Sequence, residues 1–300
     1  RNNVGIDQGT DNFFADDSFC RILKYAHSVK KTENAILVIN GDIFDFLRVT
    51  DYPGKVKTIR ITRKIKQALK GKSTSKTPPL DEFIEKEYNE WVNELEKVGI
   101  NKNRHQLEES ISDKERKYGL GTDNFKTIYK FIKIKNGHPV FFKALGDWIQ
   151  NGNKIIIVKG NHDILADSWY HEANINKVLP GITFIDDSVV IDKDFYVEHG
   201  HRYDKFCMIL DNPVLDDNPA QINLPFGSFF NRYLLNRVEL FYPFLDNVRP
   251  SANVLPMLLK ENFPLGLKVL FHHIPFLFKI LLKNFRYFWF MLSKVIWFLI

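Results

Sequence analysis

Two apolar runs, each cut off by a glycine and a polar loop, constrain this chain more than any other feature. AILVIN (35–40) has four large aliphatic residues in six and runs straight into Gly41 and Asp42, and KIIIV (154–158) repeats the plan and closes on Gly160. Runs this short and this rich in β-branched residues read as strands buried on both faces of a sheet rather than as helices. Ahead of the first run, Asp16 and Asp17 precede a helical pattern through Phe19, Ile22, Leu23 and Ala26, with the acids where a helix start favours them. Shorter strands are expected at 188–192 (SVVID) and 195–198 (FYVE), the second ending at His199. Helix, buried strand and polar loop in alternation predict an α/β sheet with its site beyond the strand ends.

More than a hundred residues separate the two runs, too many for a crossover alone, and their composition shifts toward charge. A helical insertion at 55–135 is the expected arrangement, with a first part of the core at 1–54, a second part at 136–215 and an apolar helical region at 216–300. Lys55 to Lys76 holds many basic and no acidic residues, whereas Leu80, Phe83, Ile84, Trp91, Val92 and Leu95 mark one face of an acid-rich amphipathic helix. The basic stretch reads either as a solvated helix face or as a phosphate or nucleic-acid contact.

An apolar content of 44% over 300 residues supports a sizeable core and excludes disorder as a reading of the whole chain. Cys20 and Cys207 lie far apart without metal-type spacing, so neither a disulfide framework nor a cysteine zinc site is expected, and a reducing, cytoplasmic setting follows. The net charge of +6 is too modest to imply nucleic acid by itself. The polar opening from Arg1 and the ending inside RYFWFMLSKVIWFLI predict a piece of a longer protein.

Three polar loops at strand ends hold side chains suited to divalent metals. Asp42 and Asp45 follow the first run in GDIFD. Asn161, His162 and Asp163 follow the second in GNHD. His199 and His201 follow FYVE in EHGH. Carboxylate, amide and imidazole are hard or borderline ligands. Converging from rigid strand ends they can hold paired ions, which neutralise phosphoryl oxygens and generate a nucleophile from water at neutral pH. An Asp after a strand is often only a helix cap. GNHD directly after a buried strand has no common packing explanation.

GDIFDF, KGNHD and EHGHRYD resemble the second, third and fourth signatures of the calcineurin-like metallophosphoesterases, and the resemblance runs from about Asp16 to Asp204 apart from the insertion. It implies a layered β-sandwich flanked by helices. It implies too a phosphoesterase that cleaves a phosphate ester or pyrophosphate bond with hydroxide activated by two divalent ions, manganese first, iron or zinc as alternatives. Asp42 resembles the carboxylate that bridges the ions; Asn161 and His199 resemble ligands of the second. His162 resembles the catalytic imidazole, which Asp163 would orient by accepting its other ring proton. Asp45 would brace its loop, and His201 and Asp204 either support the metal shell or are structural. The family's first signature, Asp-x-His, and its last, Gly-His-x-His, do not occur. His272 and His273 sit in an apolar helical stretch and read as non-ligands. The chain is therefore expected to hold only part of the two-metal shell.

The insertion, YGLGT with NGHPVFFKAL, and the apolar tail are similar in layout to bacterial relatives of UDP-2,3-diacylglucosamine hydrolase, which implies a phosphorylated, lipid-linked substrate. From Phe263 to Ile300 no acid occurs, and Lys279, Lys283, Arg286 and Lys294 fall on one helical stripe opposite a broad aromatic face. That pattern suits an in-plane helix at the inner membrane surface; a cap helix on the catalytic core is the alternative. Two further readings remain open: a nuclease of the same superfamily acting on DNA, and a metal-free scaffold.

Overall fold

The computed structural model describes residues 13–29, 35–54, 80–163, 181–209, 214–216, 218–239 and 253–275, with Tyr242, Leu245, Val248, Phe278 and Trp289. The basic stretch 55–76 and the stripe Lys279, Lys283, Arg286 and Lys294 lie outside the described residues, as do the side chains of His272 and His273.

The fold is mixed α/β. Strands β1 (Ile36–Asn40), β2 (Lys154–Val158) and β3 (Ile182–Ile185) form a parallel sheet in the order β1-β2-β3. Asn40 stands level with Val158 across β1 and β2, so the loops that follow them leave the sheet side by side. That register places GDIFD against GNHD. Strands β4 (Ser188–Ile191) and β5 (Phe195–Glu198) form an antiparallel hairpin. Its first strand stops one residue short of the expected Asp192, because Asp192 and Lys193 turn the chain with left-handed φ of 54° and 65°.

Helix α1 (Asp16–Val29) carries Asp16 and Asp17 in its first turn and His27 in its last, each matched in sign to the helix dipole. It packs through Phe19 and Leu23 against α6 (Pro139–Gln150), whose Phe141, Phe142, Leu145 and Trp148 recur at helical spacing and are buried with Ile155 and Ile157 of the sheet. β1 was expected to be buried on both faces. It is half-buried with exposed ends, because among the described residues it pairs along one edge only.

The described part of the insertion, from residue 80 on, is helical. Helix α2 (Leu80–Lys97) buries Ile84, Tyr88, Trp91 and Leu95 with Leu107, Ile111, Ile128 and Tyr129, and the Trp91 indole donates to the Phe125 carbonyl at 2.7 Å. Helices α3 (Arg104–Glu109) and α4 (Asp113–Tyr118) each begin with a capping box, on Asn103 and Ser112. Helix α5 (Asn124–Gly137) is a shared wall, giving Phe131 to the sheet's core and Ile128, Tyr129 and Ile132 to the insertion's.

Beyond the hairpin, β6 (Val214–Leu215) and β7 (Asn218–Ile222) form a second antiparallel pair, where a helical region was expected to begin. A helical run follows: α7 (Phe226–Phe230), a π-helical turn (Asn231–Leu235) and α8 (Asn236–Glu239). It packs through Tyr233, Leu234 and Val238 on Tyr118, and Arg232 donates to the carbonyls of Gly119 and Leu120 at 3.2 and 2.9 Å. Helices α9 (Val254–Glu261) and α10 (Phe263–Lys268) complete the described region. No described helix is long and apolar enough to cross a membrane.

Candidate metal centre

Asn40, the last residue of β1, joins two strand ends that belong to different sheets. Its side-chain amide donates to the Glu198 carbonyl (3.0 Å), and its own carbonyl accepts from Nδ1 of His199 (2.9 Å). A carbonyl can only accept, so the ring proton of neutral His199 sits on Nδ1 and the lone pair on Nε2. Nε2 is turned to Oδ2 of Asp42 at 3.2 Å. Asp42 holds this position with a left-handed φ of 53°, and its Oδ1 accepts the backbone N–H of His162 at 2.9 Å.

The glycines of the motifs permit this approach. A methyl group on Gly41 would run into the His199 ring, and one on Gly160 would meet the carboxylate and backbone nitrogen of Asp42. Asn161 is buried beside them, and its amide nitrogen faces the hydroxyl of fully buried Ser228 on α7 at 3.4 Å. With the nitrogen on that contact, the amide oxygen is the atom that could act as a ligand.

The orienting roles of the two remaining carboxylates are exchanged relative to the sequence expectation. Nδ1 of His162 lies 2.7 Å from Oδ2 of Asp45, not against Asp163. Asp163 instead accepts backbone N–H groups from both loops, Gly160 to Oδ1 at 2.6 Å and Ile43 to Oδ2 at 3.0 Å, and so clips GNHD to GDIFD. Side chains of adjacent loop residues diverge, so the neighbour of His162 in sequence is not its neighbour in space. Asp45 also braces its own loop as expected, Oδ1 accepting from the N–H groups of Leu47 and Arg48.

Burial alone would lower the His162 pKa. The charge and hydrogen bond of Asp45, with Asp42 behind, outweigh that and raise it to about 9, against a smaller opposing effect of Arg48. For Asp45, burial pushes upward, but His162 and Arg48 together hold its pKa below the usual carboxylate value. Burial is also the main influence on Asp163; with the charge of Asp42 it lifts the pKa to about 6 against the backbone donors.

His201 lies in a short 3₁₀ turn (His201–Tyr203) with its ring 5.5 Å from that of His199. It is buried, its Nδ1 makes no hydrogen bond, and burial and the His199 charge lower its pKa against the pull of Asp42 and Glu198. Asp204 is exposed and turned into its own loop, accepting from the Phe206 N–H at 2.8 Å.

Four of the predicted residues, Asp42, Asp45, His162 and His199, are thus linked, with Asn161 in the same loop as His162, Asp163 clamping the loops and His201 at the margin. Among the described residues no group of three or more His, Cys, Asp or Glu side chains is placed to hold a metal. What the loops bring together is the pair His199 and Asp42, with Asn161 two residues before Asp163 in the adjoining loop. That donor set fits a borderline divalent ion. The orphaned Nδ1 of His201 next to His199 is a further polar atom suited to such a site.

Sequence reasoning missed Asn40, Ser228, Arg48 and Glu239. Asn40 had a signal, a polar residue closing an otherwise apolar strand; the others are single polar residues that only distant contacts make functional. Compared with known proteins, the chain matches no family model, and no curated protein and no solved structure matches it.

Proposed function

We propose that the chain carries the catalytic loops of a metal-dependent phosphoesterase with a calcineurin-like core, hydrolysing a phosphate ester or pyrophosphate bond. The observation that carries this reading is the facing pair at the strand ends. Nδ1 of His199 faces the Asn40 carbonyl, which can only accept, and Nε2 faces the carboxylate of Asp42 at 3.2 Å. In a neutral ring with its proton on Nδ1, Nε2 is an acceptor, and two facing acceptors call for a cation between or beside them, the place a metal ion would take.

Asp42, His199 and the oxygen of Asn161 would hold such an ion, manganese before iron or zinc, with a second ion sharing Asp42. Bound divalent ions supply charge neutralisation on the phosphoryl oxygens and a deprotonated water. The chain's own residues do the rest. His162, fixed by Asp45 at Nδ1, presents Nε2 as the donor to the departing oxygen. Asp163 keeps the two loops together, and Asn40 holds His199 in the ligating tautomer.

A lipid-linked phosphoester, met at a membrane surface, is the substrate class proposed. Supporting it are the exposed Phe271, Ile274 and Phe278, spaced three and four apart, and exposed Trp289, in a segment without acids. The test of the site is metal content and hydrolysis of a generic phosphodiester. Asp42→Ala and Asn161→Ala should each lower bound Mn²⁺ and abolish turnover. His162→Asn should keep the metal and lose roughly 10²-fold in rate. Unchanged metal and rate in the first two variants refute the metal assignment; metal loss in the third makes His162 a ligand.

A further inference from the structure

The carboxylate that orients His162 faces two cationic donors. Oδ2 of Asp45 lies 2.7 Å from Nδ1 of His162 and 3.5 Å from Nε of Arg48. Arg48 is itself buried, and its Nη1 pairs with Oε2 of Glu239, a residue of zero exposure at the end of α8. The series of charges therefore runs from buried Glu239 and Arg48 to half-buried Asp45 and His162, crossing from the C-terminal helical run into the GDIFD loop and on into GNHD.

An arginine beside a carboxylate ordinarily takes it with two parallel N–H donors, and such pairs are among the strongest hydrogen bonds in proteins. Here the guanidinium stands farther from Asp45 than the imidazole does. Glu239 is what draws it the other way. We propose that Glu239 is a positioning residue: by holding Arg48 it reserves Oδ2 of Asp45 for His162 and so fixes the direction of the imidazole. The catalytic part of this claim rests on the reading of His162 as the donor to the leaving oxygen.

The obvious alternative is an ion pair that merely fastens α8 to the loop. A neutral contact already does that: the side-chain amide of Asn236, almost fully buried, donates to the Leu47 carbonyl at 2.7 Å. Losing Glu239 then leaves the loop anchored but releases the arginine toward Asp45. Removing Arg48 as well removes the competitor. A positioning role thus predicts rescue by a second mutation, which a fastening role does not.

The experiment uses the full chain with Mn²⁺ and compares the wild type, Glu239→Gln and Arg48→Met/Glu239→Gln. In ¹H,¹⁵N spectra the Nδ1 proton of His162, assigned by its absence in His162→Asn, should lie far downfield in the wild type. It should shift upfield or exchange away in Glu239→Gln and return in the double variant. In parallel, kcat for a phenyl phosphodiester should fall about 10-fold in Glu239→Gln, within the span of a positioned acid. For a 4-nitrophenyl diester, whose leaving group needs no proton, it should fall only a few-fold, with KM unchanged and both rates recovered in the double variant.

A proton signal unmoved in Glu239→Gln, or lost in both variants, overturns the proposal, as does an equal fall for the two leaving groups. Should Glu239→Gln not fold, Arg48→Met alone decides: the imidazole proton should keep its wild-type position, and its loss overturns the proposal. If the wild type cleaves no phosphodiester, the phosphoesterase reading fails, while the proton signal still decides whether Glu239 governs the imidazole.

Discussion

At Gly160 the GNHD loop lies hard against the GDIFD loop, and Gly160→Ala measures how much depends on that approach. A methyl group there would lie 2.6 Å from the backbone nitrogen of Asp42 and nearer still to its carboxylate, and backbone cannot rotate aside. Relief requires the loops to part. Parting them stretches the bond from the His162 N–H to Asp42 (2.9 Å) and the bond from the Gly160 N–H to Asp163 (2.6 Å). Hydrogen bonds to charged groups contribute about 1.5–3 kcal/mol each, so the loss is about 3 kcal/mol or more, out of a total of roughly 5–15 kcal/mol for a domain. Gly146→Ala is the control: it sits inside α6 with nothing within 4 Å of the added methyl, and should gain about 0.4–1 kcal/mol. Urea unfolding followed by circular dichroism gives both differences, and calorimetric titration with Mn²⁺ should show weakened binding in Gly160→Ala alone. Wild-type stability and metal affinity in Gly160→Ala would refute the close-approach reasoning.

At alkaline pH the insertion should loosen first. Burial, helped by the charge of Glu108 and opposed by Arg116 and Arg104, pushes the Tyr88 phenol up to about 12, and burial also raises Tyr52 and, strongly, Tyr129. The folded chain thus favours the neutral phenols, so stability is complete below about pH 10 and falls as pH rises from there toward 12. Urea midpoints at pH 8, 10 and 11 should fall less steeply in Tyr88→Phe, and an identical slope would count against the assignment. At the other end of the chain, the protein should sediment with anionic but not neutral liposomes, and Lys279→Glu, Lys283→Glu and Arg286→Glu together should release it. Equal partition with and without anionic lipid would favour the cap-helix alternative.

The strands that carry the site were legible because their signal is local. An apolar run ended by glycine predicts both the strand and the loop that leaves it, and Ile36–Asn40, Lys154–Val158 and Phe195–Glu198 fall where the pattern placed them. Ile182–Ile185 was not picked out, although its run ITFI is as long as FYVE. Asn218–Ile222 escaped because NPAQI holds a proline and a single large apolar residue, which carries no period. The polar loops stood out for a chemical reason, since glycine, amide, imidazole and carboxylate in succession have no common packing explanation. Which carboxylate meets which base was not. Asp45 and His162 are 117 positions apart, and only the parallel register of Asn40 with Val158 brings their loops together. Ser228, Asn236 and Glu239 were hidden for the same reason. Each is one polar residue in an apolar helical run, and its partner lies in another part of the chain.

The carboxylates of the cluster differ in how fully the chain's own donors match them. Asp163 is matched by backbone donors from Gly160 and Ile43. Asp45 is matched by His162 and Arg48, and the surplus positive charge of Arg48 by Glu239. Asp42 receives one backbone N–H, from His162, while its other oxygen faces Nε2 of His199 at 3.2 Å. Negative charge in the cluster is therefore least compensated at the one carboxylate that also stands at the C-terminal end of a parallel strand, next to an amide and an imidazole. A fold that had kept these loops only for packing would gain nothing by holding His199 in that tautomer or by keeping glycine where any side chain would push the loops apart. The C-terminal run is tied to both loops, Ser228 to Asn161, Asn236 to the Leu47 carbonyl and Glu239 to Arg48, so it is packed against the cluster rather than set apart from it.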